Sequence, residues 1–152
     1  MYRLQAVVVT ESARGELLDS IGRARLVALD RHLSLLPLTE ALFDTGVPGR
    51  GGLRTASTDF AQLLAECSEH GAVAHVEAEY FGGLGTQFAQ VWDNGKTVLG
   101  PLHLAEDEPA PADGSPISQA LRRLGVLKGD HFDEFDAVGL GRYRDTDDWL
   151  PA

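Results

Sequence analysis

The sequence predicts an α+β protein with an antiparallel or mixed sheet of about five or six strands and three to four helices, mostly on one face of the sheet. Three observations support this class. Apolar runs of strand length recur along the chain, an Asn-Gly pair separates two of them, and residues 60, 63, 64 and 67 are apolar at helical spacing. At 152 residues, the whole chain 1–152 is expected to form one domain.

The strand pattern is clearest where β-branched and aromatic residues alternate with polar ones. It predicts strands over residues 4–9, 25–29, 33–36, 72–81, 88–92 and 97–99. Asn94-Gly95 is the strongest signal for a short hairpin, because a type I′ turn requires positive φ at both central residues. We therefore expect the last two strands to pair through this turn.

Helices are predicted between these strands, over residues 12–21, after Thr39, over 57–67 and over 115–124. Residues 101–116 contain four prolines and four acids, which predicts an exposed acidic loop. The single cysteine, Cys67, falls on the apolar side of its helix and is expected to be a buried thiol. One cysteine excludes an internal disulfide and favours a cytoplasmic location.

Charge and hydropathy narrow the classes of partner. The net charge is −10, which disfavours binding to phosphate backbones, so no nucleic-acid partner is expected. No apolar run reaches the roughly 20 residues of a membrane helix, so no membrane association is expected either. From Glu106 onward there are eleven acids and five bases, a net charge of −6, which favours solubility over a role in steering a basic partner.

One face of the strand over 72–81 is unusually polar. Alternation places His75, Glu77 and Glu79 on the same side, about 7 Å from one to the next. Such a row suits metal binding or acid/base chemistry, but a solvent-facing strand surface alternates in the same way, and that interpretation is favoured. Glu79 is the stronger candidate, because it adjoins a glycine cluster and its carboxylate could accept hydrogen bonds from the backbone N–H groups there.

The segment 77–87, called here the glycine hairpin, carries the densest group of special residues. It departs from the dinucleotide fingerprint at its sixth position and lacks the Gly-Lys-Ser/Thr of a P-loop, which argues against nucleotide binding. A strand connection needing positive φ explains the glycines. A recognition surface also explains the remaining side chains, and the candidate binding residues are Glu77, Glu79, Tyr80, Gly83, Gly85, Thr86 and Gln87.

The C-terminal tail, residues 139–149, is the second candidate. Arg142 and Arg144 could bind a carboxylate or a phosphate, but a network of arginines and aspartates that fastens the tail to the domain is favoured. Trp149 near the end predicts a docked tail, and Asp148 completes the candidate residues. The segment lacks the central glycine and final glutamate of a calcium loop.

Known catalytic patterns are missing from the sequence. It contains no Gly-x-Ser-x-Gly, His-Glu-x-x-His or Cys-x-x-Cys motif, and its five histidines are scattered. No catalytic residue, metal ligand or cofactor is therefore predicted, and the balance leans against an enzyme.

The glycine hairpin is similar to one found in a family of small uncharacterised bacterial proteins, many of them actinobacterial. Two further motifs of that family resemble the helix Ile117 to Val126 and the tail Gly139 to Trp149 of this chain. The resemblance covers roughly the second half of the chain and implies no activity, fold or cofactor. It does imply that the hairpin and the tail form one site.

Two function classes follow. The first is a non-catalytic interaction protein of the immunity-protein type, whose acidic surface binds a basic protein partner. The second is a small enzyme or ligand-binding protein, with Glu77 or Glu79 as acid/base and Arg142 or Arg144 holding an anion. The first is favoured; the sequence predicts no oligomeric state.

Overall fold

The computed structural model describes residues 1–21, 25–39, 58–82, 84–109 and 111–150, and the helix expected after Thr39 lies outside these ranges. The described residues form six strands and four α-helices. The strands are β1 (Tyr2–Val9), β2 (Val27–Ala28), β3 (Ser34–Pro37), β4 (Val73–Phe81), β5 (Leu84–Asp93) and β6 (Lys96–Leu104). The helices are α1 (Glu11–Ser20), α2 (Thr58–Cys67), α3 (Pro116–Arg123) and α4 (Glu134–Val138).

The six strands form one antiparallel sheet in the order β2-β3-β1-β4-β5-β6. The predicted α+β class is confirmed. β1 and β4 lie at the centre and pair along eight residues each, from Tyr2 opposite Tyr80 to Val9 opposite Val73. These two strands therefore place the glycine hairpin at one end of the sheet.

The predicted Asn-Gly hairpin joins β5 to β6. Asn94 has φ 53° and Gly95 has φ 79°, the positive values that a type I′ turn requires. Asp93 and Lys96 face each other across the turn.

Helices cover both faces of the sheet, so the expectation that they lie mostly on one face is wrong. Buried residues of α1 and α2, among them Leu17 and Leu64, pack with Val7, Val73 and Trp92 on what is called here the α1–α2 face. The opposite face, the α3–α4 face, packs a separate cluster against α3 and α4. That cluster includes Leu4, Ala6, Val8, Ala74, Val76, Ala78, Ile117, Leu121, Ala137 and Val138. Because both faces of β4 are covered, its polar side chains cannot all reach solvent.

The predicted loop over 101–116 is wrong at its start, because β6 continues to Leu104. Leu102, His103 and Leu104 pair with β5, beyond a register shift near Gly100-Pro101. A proline is tolerated here because β6 is an edge strand, where one side of the backbone needs no partner. Pro101 therefore marks an irregular edge strand and not the start of a loop.

β5 begins at Leu84, four residues before the predicted start, because Gly85 belongs to the strand and not to the turn. Tyr80 and Gly85 are cross-strand partners, and a Cβ on Gly85 would overlap the Tyr80 ring and lie 2.8 Å from the Glu79 carbonyl oxygen. The glycine thus accommodates the tyrosine ring across the strand pair rather than supplying a turn. The turn itself uses Gly82, with φ 60°.

This packing predicts opposite effects for two glycine-to-alanine changes. Gly85→Ala should lower the free energy of unfolding by about 1–3 kcal/mol, because the new methyl group overpacks the Tyr80 ring and the backbone. Gly15→Ala is the control: Gly15 lies within α1 with no atom near its missing Cβ, so alanine should raise stability by about 0.5–1 kcal/mol. Urea unfolding measures both, and equal effects would contradict the packing described for Gly85.

Candidate functional site

Gln87 and Tyr80, two of the candidate binding residues, lie on the α3–α4 face and bond inside the protein. Gln87 is buried; its Oε1 accepts a hydrogen bond from the Ile117 N–H at 3.0 Å, and its amide nitrogen donates to the Tyr80 hydroxyl. The Ile117 N–H is one of the helix N-terminal donors that has no partner within its own helix. Ser115 satisfies another by accepting from the Ser118 N–H at 3.3 Å. Gln87 therefore joins β5 to the start of α3.

The C-terminal tail docks against β1, as Trp149 predicted. The Arg3 N–H donates to the Arg144 carbonyl at 2.8 Å, and the Gln5 N–H donates to Thr146 Oγ1 at 3.0 Å. The buried Thr146 hydroxyl in turn donates to the Arg3 carbonyl at 3.2 Å. A short parallel bridge between Arg3 and Asp145 results. The tail thus binds through backbone groups and one threonine.

The tail's aromatic and arginine side chains pack beside this bridge. Trp149 is buried, with the Tyr143 ring 4.9 Å from its own and the Arg142 guanidinium 5.7 Å from its ring centre. Arg142 also donates to the Ala28 carbonyl at 3.4 Å. Arg144 and Asp148 are exposed. Arg142 therefore has a structural role, and the predicted arginine–aspartate network is not what fastens the tail.

Tyr2 connects the hairpin to the tail. Its ring lies 6.2 Å from that of Tyr80 and 5.6 Å from that of Phe135, and its hydroxyl donates to the Leu140 carbonyl at 2.7 Å. Burial raises the pKa of the Tyr2 hydroxyl, and Tyr80 adds to the effect. The two segments that the resemblance linked therefore meet on the α3–α4 face, through contacts that hold the fold together.

His75 and Glu77 lie on the opposite, α1–α2 face and are 2% and 3% exposed. The favoured interpretation of this strand face as solvent-exposed is wrong. His75 Nε2 is 3.3 Å from Glu77 Oε1, which is within ion-pair distance but not aligned as a hydrogen bond. Among the described residues, the His75 Nδ1 has no hydrogen-bond partner either. An imidazole beside a carboxylate can share or transfer a proton.

Aromatic rings surround this pair. The His75 ring lies 6.0 Å from Phe60 of α2 and 5.3 Å from Phe88 of β5, both at steep angles. On the far side of Phe88, His103 lies 5.1 Å away and is exposed. Low polarity makes an isolated buried charge costly, so the proximity of the imidazole and the carboxylate lowers the cost of burying them.

Glu79 and Thr86 are half-buried cross-strand partners on the α1–α2 face, and Arg3 lies opposite Glu79 on β1. Gly83 lies outside the described residues. Glu77, Glu79 and Thr86 are therefore separated by the sheet from Gln87, Tyr80 and the buried Trp149 of the tail. The candidate residues form two groups on opposite faces, and no single pocket within the described part of the chain contains both.

Cys67 is buried as predicted, with its Sγ 3.7 Å from Ser20 Oγ. Burial raises its pKa, which keeps the thiol protonated and unreactive. Within the described ranges, no cluster of three or more His, Cys, Asp and Glu side chains is placed to hold a metal ion. The helices described there are too short or too polar to cross a membrane.

Two features had no place in the sequence interpretation. The loop over residues 127–132 exposes Leu127 and Phe132, 80% and 87% respectively. A cavity of about 260 Å³ is lined by Leu99, Asp113, Gln119, Arg122 and Arg123. The loop could have been noticed as two apolar residues outside any helical or strand period. The cavity could not, because it depends on how α3 sits beside β6.

Comparison with known proteins adds no family. The chain matches no protein-family model, no curated protein and no solved structure. Any function must therefore be argued from the residues.

The position of Gln87 predicts a stability effect. Gln87→Leu should lower the free energy of unfolding by about 1–3 kcal/mol, because it leaves the buried Ile117 N–H without an acceptor. Gln90→Leu on the same strand is the control: its amide donates to the exposed Thr97 hydroxyl at 3.3 Å, so a change within about 0.5 kcal/mol is expected. Chemical denaturation compares them, and equal losses would refute the structural role of Gln87.

The buried His75–Glu77 pair predicts a larger change in the free energy of unfolding. Glu77→Ala should cost about 3–5 kcal/mol, because removing one partner of a buried pair leaves the other uncompensated. Glu79→Ala, two residues along the same face and half-buried, should cost at most about 1 kcal/mol. Thermal or urea unfolding of the two variants tests this. If Glu77→Ala were as mild as Glu79→Ala, the pair would not be buried in solution.

Proposed function

We propose that this protein is a non-catalytic interaction protein of the immunity-protein type, whose acidic surface binds a basic protein partner in the cytoplasm. The observation that carries the proposal is the exposed pair Leu127 and Phe132 in an acidic setting. Large aromatic side chains are enriched in the cores of protein interfaces, where they act as anchors.

The loop is held in place by the start of α4. Asp133 caps this helix by accepting from the Asp136 N–H at 2.9 Å, and His131 Nδ1 lies 3.0 Å from Asp136 Oδ2. These contacts fix both sides of Phe132. An anchor on an ordered loop loses less conformational freedom on binding than one on a mobile loop.

The charge around the loop is negative. Asp130 and Asp136 are exposed beside it and Asp133 is half-buried, while Lys128 is the only Lys or Arg between 127 and 136 and the Arg31 guanidinium lies beside Gly129. The whole chain has a net charge of −10. A basic partner would be attracted from a distance and would then bury the two apolar anchors.

The interior roles of the motif residues also favour this function. Gln87 and Tyr80, two of the predicted binding residues, bond to each other and to the Ile117 backbone, so their polar groups are not available to a substrate. The resemblance to the small bacterial family remains part of the proposal; under it, the shared hairpin and tail would specify the scaffold that carries a variable surface.

A second candidate function, a small enzyme or ligand-binding protein, is favoured by the His75–Glu77 pair. Keeping an imidazole and a carboxylate inside a largely apolar cluster costs stability, and proteins often accept such a cost at a working site. On this view Glu77 acts as acid/base with His75, and Arg142 and Arg144 take no part, because they lie with the tail.

Affinity capture from a lysate of the source organism tests the first function. The wild-type protein should retain a basic protein at low salt and lose it at about 1 M salt, where the Debye length falls to about 3 Å. Phe132→Ser should weaken capture at least tenfold, as expected for the loss of an interface anchor worth at least about 1.4 kcal/mol. Phe81→Ser is the control, since Phe81 is also a highly exposed phenylalanine but lies at the end of β4, in the glycine hairpin and outside the 127–132 loop.

Equal capture by the wild type and by Phe132→Ser would contradict the proposal, as would capture of no protein. A captured molecule that is lost with Glu77→Gln and kept with Phe132→Ser would favour the second function instead.

A further inference from the structure

We propose that the cavity between α3 and β6 binds a small anion that carries a single carboxylate or phosphate group. The cavity has a volume of about 260 Å³. Arg122, Arg123 and Gln119 line it from α3, Leu99 from β6, and Asp113 from the loop before α3. This site is separate from the 127–132 loop and does not depend on the proposed function.

The two guanidinium groups give the cavity its positive character. Arg122 is positioned by the protein: it donates to the Asp113 carbonyl, and its Nη1 lies 3.9 Å from Glu134 Oε2. Glu134 is buried and within ion-pair distance, so it offsets part of the Arg122 charge. For Arg123, the described residues provide no hydrogen bond or ion pair, and its guanidinium can turn to a ligand.

The dipole of helix α3 accounts for part of this arrangement. Basic side chains in the last turn of a helix offset the partial negative charge of its C-terminus, and Arg122 and Arg123 occupy that turn of α3. That effect explains the sign of the charge. It does not explain why both arginines and an amide border one concave space, where planar guanidinium groups can bind carboxylate or phosphate oxygens in pairs.

The other lining residues restrict the ligand. The Gln119 amide donates to the Gly114 carbonyl at 2.8 Å, which holds it at the cavity. Leu99 supplies an apolar wall, and the Asp113 carboxylate repels a second negative group. The cavity is smaller than the roughly 300–1,000 Å³ typical of sites for drug-sized molecules, so the ligand is small. A compact anion with one charged group fits these limits better than a nucleotide or a polyanion.

Titration with sodium acetate and with inorganic phosphate, followed by arginine side-chain NMR signals, tests the assignment and distinguishes the two anion types. Saturable shifts of Arg122 and Arg123 with a Kd of about 1–10 mM are expected for a small ligand. Arg123→Gln should weaken binding at least tenfold. Arg14→Gln is the charge-matched control, because Arg14 is exposed on α1, across the sheet, and should bind as the wild type does.

Asp113→Asn gives a test of opposite sign. It keeps the backbone carbonyl that positions Arg122 but removes the repelling carboxylate, so it should tighten binding by about threefold or more, as expected when a nearby like charge is removed at short range. The proposal is overturned if neither anion gives saturable shifts, if Arg14→Gln weakens binding as much as Arg123→Gln, or if Asp113→Asn weakens it.

Discussion

The burial of β4 on both faces is the constraint on which the rest of this structure depends. β4 pairs with β1 on one side and β5 on the other, α1 and α2 cover one face, and α3 and α4 cover the other. Every side chain of its first six residues is therefore inside the protein. Polar groups placed there must find partners within the protein, because water cannot solvate them.

The two faces meet this requirement in different ways. On the α3–α4 face, small alanines of β4 allow α3 to pack closely, and Gln87 on the neighbouring strand satisfies the start of that helix. On the α1–α2 face, His75 and Glu77 are placed against each other among phenylalanine rings. The first arrangement is a structural device. The second places two ionisable side chains in a largely apolar cluster, which costs stability.

Much of the fold could be predicted from the sequence, because it is encoded locally. Asn94-Gly95 determines its hairpin through backbone conformation alone, and the apolar spacing of α2 buries Cys67 whatever lies opposite. The coverage of the second face could not be predicted in this way. A strand with polar residues at alternate positions suggests that one face is exposed to solvent. Only the packing of α2 against the sheet shows that Glu77 is buried while Glu79 is half-buried.

The candidate site was harder to predict for the same reason. Gln87 and Glu79 are eight residues apart and lie on adjacent strands, yet they point to opposite faces, because each strand alternates. The hairpin and the tail do meet, through Tyr2, but as parts of the scaffold. The arginine cavity depends on where α3 lies beside β6, and no local pattern encodes that.

Chemical modification of histidines in the native protein tests the burial of β4 most directly. The chain has five histidines, of which His32, His70, His103 and His131 are exposed and His75 is 2% exposed. With diethyl pyrocarbonate and mass spectrometry, the four exposed imidazoles should be modified, and His75 should stay unmodified until the protein unfolds. Modification of His75 in the native state at the rate of His103 would contradict the account.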